Sequence, residues 1–215
     1  MGGSTVRERQ MQLDALAALQ RIALEHPESG ARIVELTDVF GSGLGAGDEA
    51  NGVWFAGKVP GYTVLEEGER VMVRYDSVVV DPAVFLPWMK QRLEEGGVQF
   101  YRVRELKWLG ELSALGFEYD VLINASGLGS MSLGDVRDSA VSLDRTYVTV
   151  VSSDFHAAYV HRGPGAYTYI FGRGDGTAVL GGVSEPISQT PKPRGQVLED
   201  VSRIRDGDTI DGRPG

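Results

Sequence analysis

Between residues 4 and 25 the apolar positions Leu13, Leu16, Ala17, Leu19, Ala23 and Leu24 recur at helical spacing, with Gln20 interrupting the stripe. Ser4 or Thr5 stands where an N-cap side chain is needed, and Pro27 and Gly30 end the segment across His26–Gly30. The run ARIVELTDV that follows is strand-like, with Ile33–Leu36 at its centre. Residues 70–80, RVMVRYDSVVV, alternate and then turn continuously apolar, as a strand passing into a buried layer does. Asp81-Pro82 predicts a second helix through Leu93, with Asp81 as cap, Pro82 at the first helical position and Gly96-Gly97 as its stop. Val98–Val103 predicts the next strand, and Asp120–Ile123 a short apolar one that runs into Asn124-Ala125-Ser126-Gly127. Val148–Val151, Ala166–Phe171 and Ala178–Leu180 predict antiparallel strands, the last two joined through Gly172–Gly176. Beyond Ser184 the chain is rich in Pro, Gly and charge, with at most a weak helix over Leu198–Ile204; disorder is one reading of 184–215. The expected class is α+β, mixed α and β, in which 82–127 stands apart because it runs helix, strand, connection, buried strand and Gly-rich turn, as a nucleotide-binding layer does.

Composition narrows the chemistry. At 215 residues, 42% hydrophobic and 24% charged, the chain can bury a core as one large domain or two small ones. A net charge of −9 argues against a nucleic-acid partner. With no cysteine, disulfides, thiolate metal sites and cysteine nucleophiles are excluded, and three histidines (His26, His156, His161) make a histidine-rich metal site unexpected. No apolar run reaches membrane-spanning length and the N-terminus lacks signal-peptide character, so a soluble intracellular protein without a membrane partner is expected.

Three stretches could carry function. FGSGLGAG, 40–47, approaches the spacing of a dinucleotide loop. Asp48 and Glu49 would oppose the phosphate, Asn51-Gly52 would stop the required helix, and no βαβ unit follows, so the stretch is expected to imitate such a loop. DVLINASGLG, 120–129, is the better candidate, because a turn at a strand's carboxyl end exposes N–H groups and a hydroxyl; an ordinary β-turn with a capping serine is the alternative. In GAYTYIFGRG, 165–174, Tyr167 and Tyr169 share a strand face with Arg173 just beyond, either to meet a ligand or to pack. His161 and Arg162 read as solvated loop residues, and no pair of carboxylates is placed for acid–base work, so no catalytic side chain is assigned.

VVVDPAVFLPWMKQRLEEGGVQF (78–100), YDVLINASGLGSMSL (119–133) and TYIFGRGDGTAVLGG (168–182) together resemble, in the correct order, flavin-dependent D-amino acid oxidases and D-aspartate oxidases. The resemblance covers about residues 5–185. It implies a partial FAD-binding layer (mainly 82–133) interleaved with an antiparallel-sheet substrate domain (mainly 32–80 and 140–183), together forming one domain over 1–183. It further implies FAD as cofactor, and oxidation of a D-amino acid by O2 to a 2-oxo acid, ammonia and hydrogen peroxide. By position, Ser126 matches the hydroxyl residue of the flavin-contacting turn, with Asn124 and Gly127 beside it. Leu106 is placed near the adenosine end, and Tyr169 matches the tyrosine that holds the substrate carboxylate. Arg173 or Arg162 would serve an acidic side chain if the preference were for D-aspartate. A homodimer is one expected assembly; the family implies a peroxisomal location, while the C-terminus carries no address and makes the cytoplasm the default. The chain also departs from the family: it begins beyond the usual G-x-G-x-x-G unit, Gly212-Arg213-Pro214 only echoes the segment carrying the substrate arginine, and Arg145-Thr146-Tyr147 replaces Arg-Gly-Gln. These departures leave open a non-catalytic fragment that binds a partner or self-associates.

Overall fold

The computed structural model describes residues 5–40, 54–66, 71–163 and 166–186. The stretch 41–53 with its Gly-rich loop, the weak helix over Leu198–Ile204 and Gly212-Arg213-Pro214 lie outside the described residues.

Helix α1 (Val6–Glu25) starts on a reciprocal cap: the Thr5 hydroxyl accepts the Glu8 N–H at 3.2 Å, and the Glu8 carboxylate accepts the Thr5 N–H at 2.6 Å. Leu13, Leu16 and Leu19 turn toward the protein and become half-buried, whereas Leu24 remains exposed. Gln20, an interruption in the apolar stripe, instead donates from its side-chain amide to the Asp76 carbonyl at 3.2 Å, tying the helix to the sheet. A turn of 3-10 helix, Pro27–Ser29, and the left-handed Gly30 lead into the first strand.

Among the described residues seven strands form one sheet: β1 (Ala31–Phe40), β2 (Thr63–Glu66), β3 (Val71–Val80), β4 (Asp144–Ser152), β5 (Ala158–Gly163), β6 (Ala166–Gly172) and β7 (Thr177–Pro186). Their order is β2-β3-β1-β5-β6-β7-β4, antiparallel throughout except for the β1–β5 pair. The class is therefore mixed α and β with a mostly antiparallel sheet, as the polar/apolar pattern predicts. Two strands were not read from the pattern, β2 and β5; His161 and Arg162, expected in a solvated loop, lie on β5 at the centre of the sheet.

Strand alternation divides the side chains between two faces. Val34, Leu36, Asp38 and Phe40 of β1 share one face with Ser77, Tyr75, Val73 and Val71 of β3, and with Ala158, Val160 and Arg162 of β5. The same face continues through Tyr167, Tyr169 and Phe171 of β6. Its core has two parts: Phe40, Val71 and Val73 packed against Phe55, Tyr62 and Tyr75; and Val34, Leu36, Ala158 and Val160 packed against Val79, Tyr169 and Phe171.

Helix α2 (Pro82–Glu95) forms as expected, capped by Asp81, whose Oδ1 accepts the Ala83 N–H at 3.0 Å. Trp88 anchors it by donating to Glu28 at 3.1 Å and packing on His26, ring centroids 5.3 Å apart. After α2 the expectation fails. Val98–Val103 and Asp120–Ile123 form no strand. Both are exposed, and a strand needs a neighbour to receive its ladder hydrogen bonds, which no described residue supplies to either segment. This region is organised by its turns. Asp135 accepts the N–H groups of Leu109 and Gly110 at 3.0 and 3.3 Å beside the short α3 (Glu111–Ala114), and the Gly134 N–H donates to the Lys107 carbonyl at 2.7 Å. No helix among the described residues is long and apolar enough to cross a membrane.

Candidate functional site

Tyr169 owes its setting to two glycines on the adjoining strand. Gly181 lies opposite it in the β6–β7 register, and a Cβ there would come within 2.3 Å of the Tyr169 ring, so the phenol occupies the space a side chain would fill. Gly182, at φ 129°, falls where the β4–β7 register slips between Tyr147 and Val148, and a Cβ there would meet the Tyr167 carbonyl oxygen at 1.6 Å. The Leu-Gly-Gly run at 180–182 is thus a device for seating a tyrosine over backbone.

Tyr169 stacks on Phe171 with centroids 4.7 Å apart and tilts against Tyr167 at 5.8 Å, so Tyr167 and Tyr169 share a face as strand periodicity requires. Burial, aided by the neighbouring Tyr167, pushes the Tyr169 hydroxyl above its ordinary range, so it remains a neutral hydrogen-bond donor at physiological pH.

Tyr169 and Phe171 line a cavity of about 250 Å3 together with Arg32, Asp81, Arg173 and Val179. The structure thereby joins two of the residues singled out in the sequence, Tyr169 and Arg173, and adds Arg32, which was not read there. Arg173 does not stand alone: its Nη2 pairs with Asp81 at 3.2 Å, and its Nε is 3.9 Å from Asp175. Arg32 donates to the Gly172 carbonyl at 2.8 Å. Asp81 therefore serves twice, as cap of α2 and as counter-ion of Arg173.

Further along the same face, Asp38 is fully buried and accepts from Arg162 Nε at 3.0 Å and Nη2 at 3.2 Å, with the Tyr75 hydroxyl 3.5 Å away. Burial raises the Asp38 carboxyl above the usual carboxylate range and the Arg162 interaction offsets this only in part. Burial, reinforced by Asp38, also drives the Tyr75 hydroxyl well up. Asp38 and Tyr75 were missed in the sequence. Their signal was period two: an aspartate in phase with Val34, Leu36 and Phe40 falls on the apolar face of its strand.

The other singled-out residues lie in the region after α2. The Asn124 side chain accepts the Ser126 N–H at 3.1 Å, Ser126 Oγ lies 3.1 Å from Ser130 Oγ, and Gly127 has φ 55°. Val121 and Ile123 leading into this turn are 76% and 81% exposed, and Leu106 is half-buried beside the 107–111 turn. Val121 and Ile123 thus leave apolar surface uncovered just ahead of a turn that carries the Ser126 hydroxyl. None of Leu106, Asn124, Ser126 or Gly127 lines the Tyr169 cavity.

The profile of the DAO family of FAD dependent oxidoreductases matches residues 59–207, well over half of the chain. A D-amino-acid oxidase of Fusarium vanettenii is 30% identical over 82 residues, which make up 37% of this chain and 23% of that protein, so the match spans about a quarter of the fungal enzyme. By the extent of the family match, the chain belongs to the FAD dependent oxidoreductase family.

Proposed function

We propose that the chain contributes the substrate-holding sheet and part of the flavin-binding layer of an oxidase that converts D-amino acids to 2-oxo acids. The observation that carries this reading is the Tyr169 hydroxyl, neutral and raised over Gly181 at a cavity that also contains Arg32 and Arg173. Tyr169 donates a hydrogen bond to the substrate carboxylate, with Arg32 supplying positive charge beside it, since Arg173 is paired with Asp81. Phe171 and Val179 exclude water from the substrate's carbon skeleton. Ser126, Gly127, Asn124 and Leu106 would hold FAD, which when bound would supply the two-electron oxidation of the substrate Cα–N bond, with O2 as the final acceptor reduced to hydrogen peroxide and hydrolysis giving the 2-oxo acid and ammonia. Orientation is the protein's main contribution, in keeping with the lack of an assigned acid or base.

Within this reading the neutral D-amino acids are favoured over D-aspartate, because Arg173 already holds Asp81 and Arg162 already holds Asp38. A second reading, a non-catalytic polypeptide that associates with itself or a partner, is supported by the exposed apolar segments at 98–103 and 119–123.

The test starts from purified chain titrated with FAD. The oxidase reading expects a flavin absorption band retained after gel filtration and a raised melting temperature. Turnover of D-alanine should exceed that of D-aspartate, and Tyr169→Phe should weaken substrate capture by about 1–2 kcal/mol, the loss of one hydrogen bond to a charged group. A colourless chain whose melting point ignores FAD would leave the second reading in its place.

A further inference from the structure

A second cavity, of about 450 Å3, lies between α1 and the sheet, walled by Leu13, Leu16, Phe40, Trp54, Phe55 and Val59 with Gln12, Tyr75, Ser77 and Arg162. We propose that it binds a neutral aromatic or apolar group, and that Asp38 sets this preference by cancelling the charge of Arg162. The inference stands apart from the oxidase reading, since neither FAD nor the Tyr169 cavity enters it.

The volume is that of a small-molecule site, and its walls have the expected character, apolar and aromatic surface with a few polar groups. Among the described residues that wall the cavity, Arg162 is the one charged side chain, with Arg9 and Lys58 over the Trp54 ring at 5.6 and 5.9 Å. Taken alone it would select an anion. Behind it, however, the fully buried Asp38 occupies Nε and Nη2 at 3.0 and 3.2 Å, leaving the pair without net charge. The guanidinium also lies over two rings, 5.7 Å from the Phe40 centroid and 5.5 Å from that of Tyr167, which favour the orientation that meets Asp38. Asp38 is not itself among the walls, so an anion in the cavity would face it from behind the paired guanidinium, whose attraction it offsets. A neutral group incurs no such cost and buries apolar surface against Leu13, Leu16 and Phe55.

Phenylacetamide and phenylacetate provide the test, being the same shape and differing in charge. Calorimetric titration of the purified chain should show phenylacetamide binding about tenfold more tightly than phenylacetate, roughly one unit charge's worth of discrimination at a partly screened site. Asp38→Asn keeps the shape but frees the Arg162 charge, and should bring phenylacetate to at least parity while leaving phenylacetamide nearly unchanged. If that variant does not fold, Arg162→Met should retain phenylacetamide binding and reject phenylacetate at least as strongly as the parent. Leu16→Trp, which fills the cavity, should abolish binding of both. Tighter binding of phenylacetate by the parent chain, an unchanged ratio in Asp38→Asn, or no binding of either probe at millimolar concentration would each overturn the proposal.

Discussion

Individual side chains here are placed by what their polar atoms can reach. Gln20 looks like a flaw in an amphipathic helix until its amide is seen to meet a carbonyl of β3, and Asp38 looks like a surface residue until its strand neighbours show it to be buried. Asp135 is the residue-scale tie of the region after α2. The Leu109 N–H first, then that of Gly110, holds its carboxyl below the usual carboxylate range. A depressed acid contributes stability that is present above its unfolded pKa of about 3.9 and is lost as pH falls through the lower folded value. Asp135→Asn should therefore lower the melting temperature at pH 6–7, and the gap to the parent should shrink below about pH 4. A gap that stays constant across that range would deny the carboxylate its role.

At the scale of elements, the β6–β7 pair shows why a short Gly-Gly run is needed. Gly181 leaves room for a side chain, the Tyr169 ring, which can rotate away if crowded; Gly182 abuts a carbonyl oxygen and has a left-handed φ, and backbone cannot step aside. Gly182→Ala should thus destabilise by about 2–4 kcal/mol, from strain and clash together. Gly181→Ala should cost less, about 1–3 kcal/mol, and appear chiefly as a displaced Tyr169, with weakened substrate capture under the proposed oxidase function. Equal melting points for the two variants would argue against this account. Helices α1 and α2 were legible because caps are local: Thr5 with Glu8, and Asp81 with Pro82, lie within four residues of the amides they serve.

Across the whole molecule, stability is concentrated in the sheet. The core clusters draw on β1, β3 and β5, whereas 98–103 and 119–123 form no regular element and their residues are exposed. Hydrogen exchange should reflect this division: amides of β1 and its two neighbours should exchange by near-global opening, and those of the two irregular segments should exchange with little protection. Protection of 98–103 equal to that of β1 would mean that those segments are paired in solution. If FAD binds as proposed, protection should rise around 121–130 and change little in β2.

The sequence by itself determined what depends on near neighbours. Both longer helices, the alternation of β1, β3, β4, β6 and β7, and the shared face of Tyr167 and Tyr169 follow from caps and from periods of 3.6 and 2. The family resemblance likewise lay in ordered local motifs, and the profile match supports it at the level of an FAD dependent oxidoreductase. The tertiary structure alone decided what depends on distant partners. It made β5 a central strand, because the polar run around His161 and Arg162 finds hydrogen-bonding neighbours in β1 and β6; it left 98–103 and 120–123 without a ladder. It also joined Arg173 to Asp81 and Arg162 to Asp38, pairs 92 and 124 residues apart. Charge compensation over such separations leaves no periodic trace in a chain, since it is set by the order in which strands assemble.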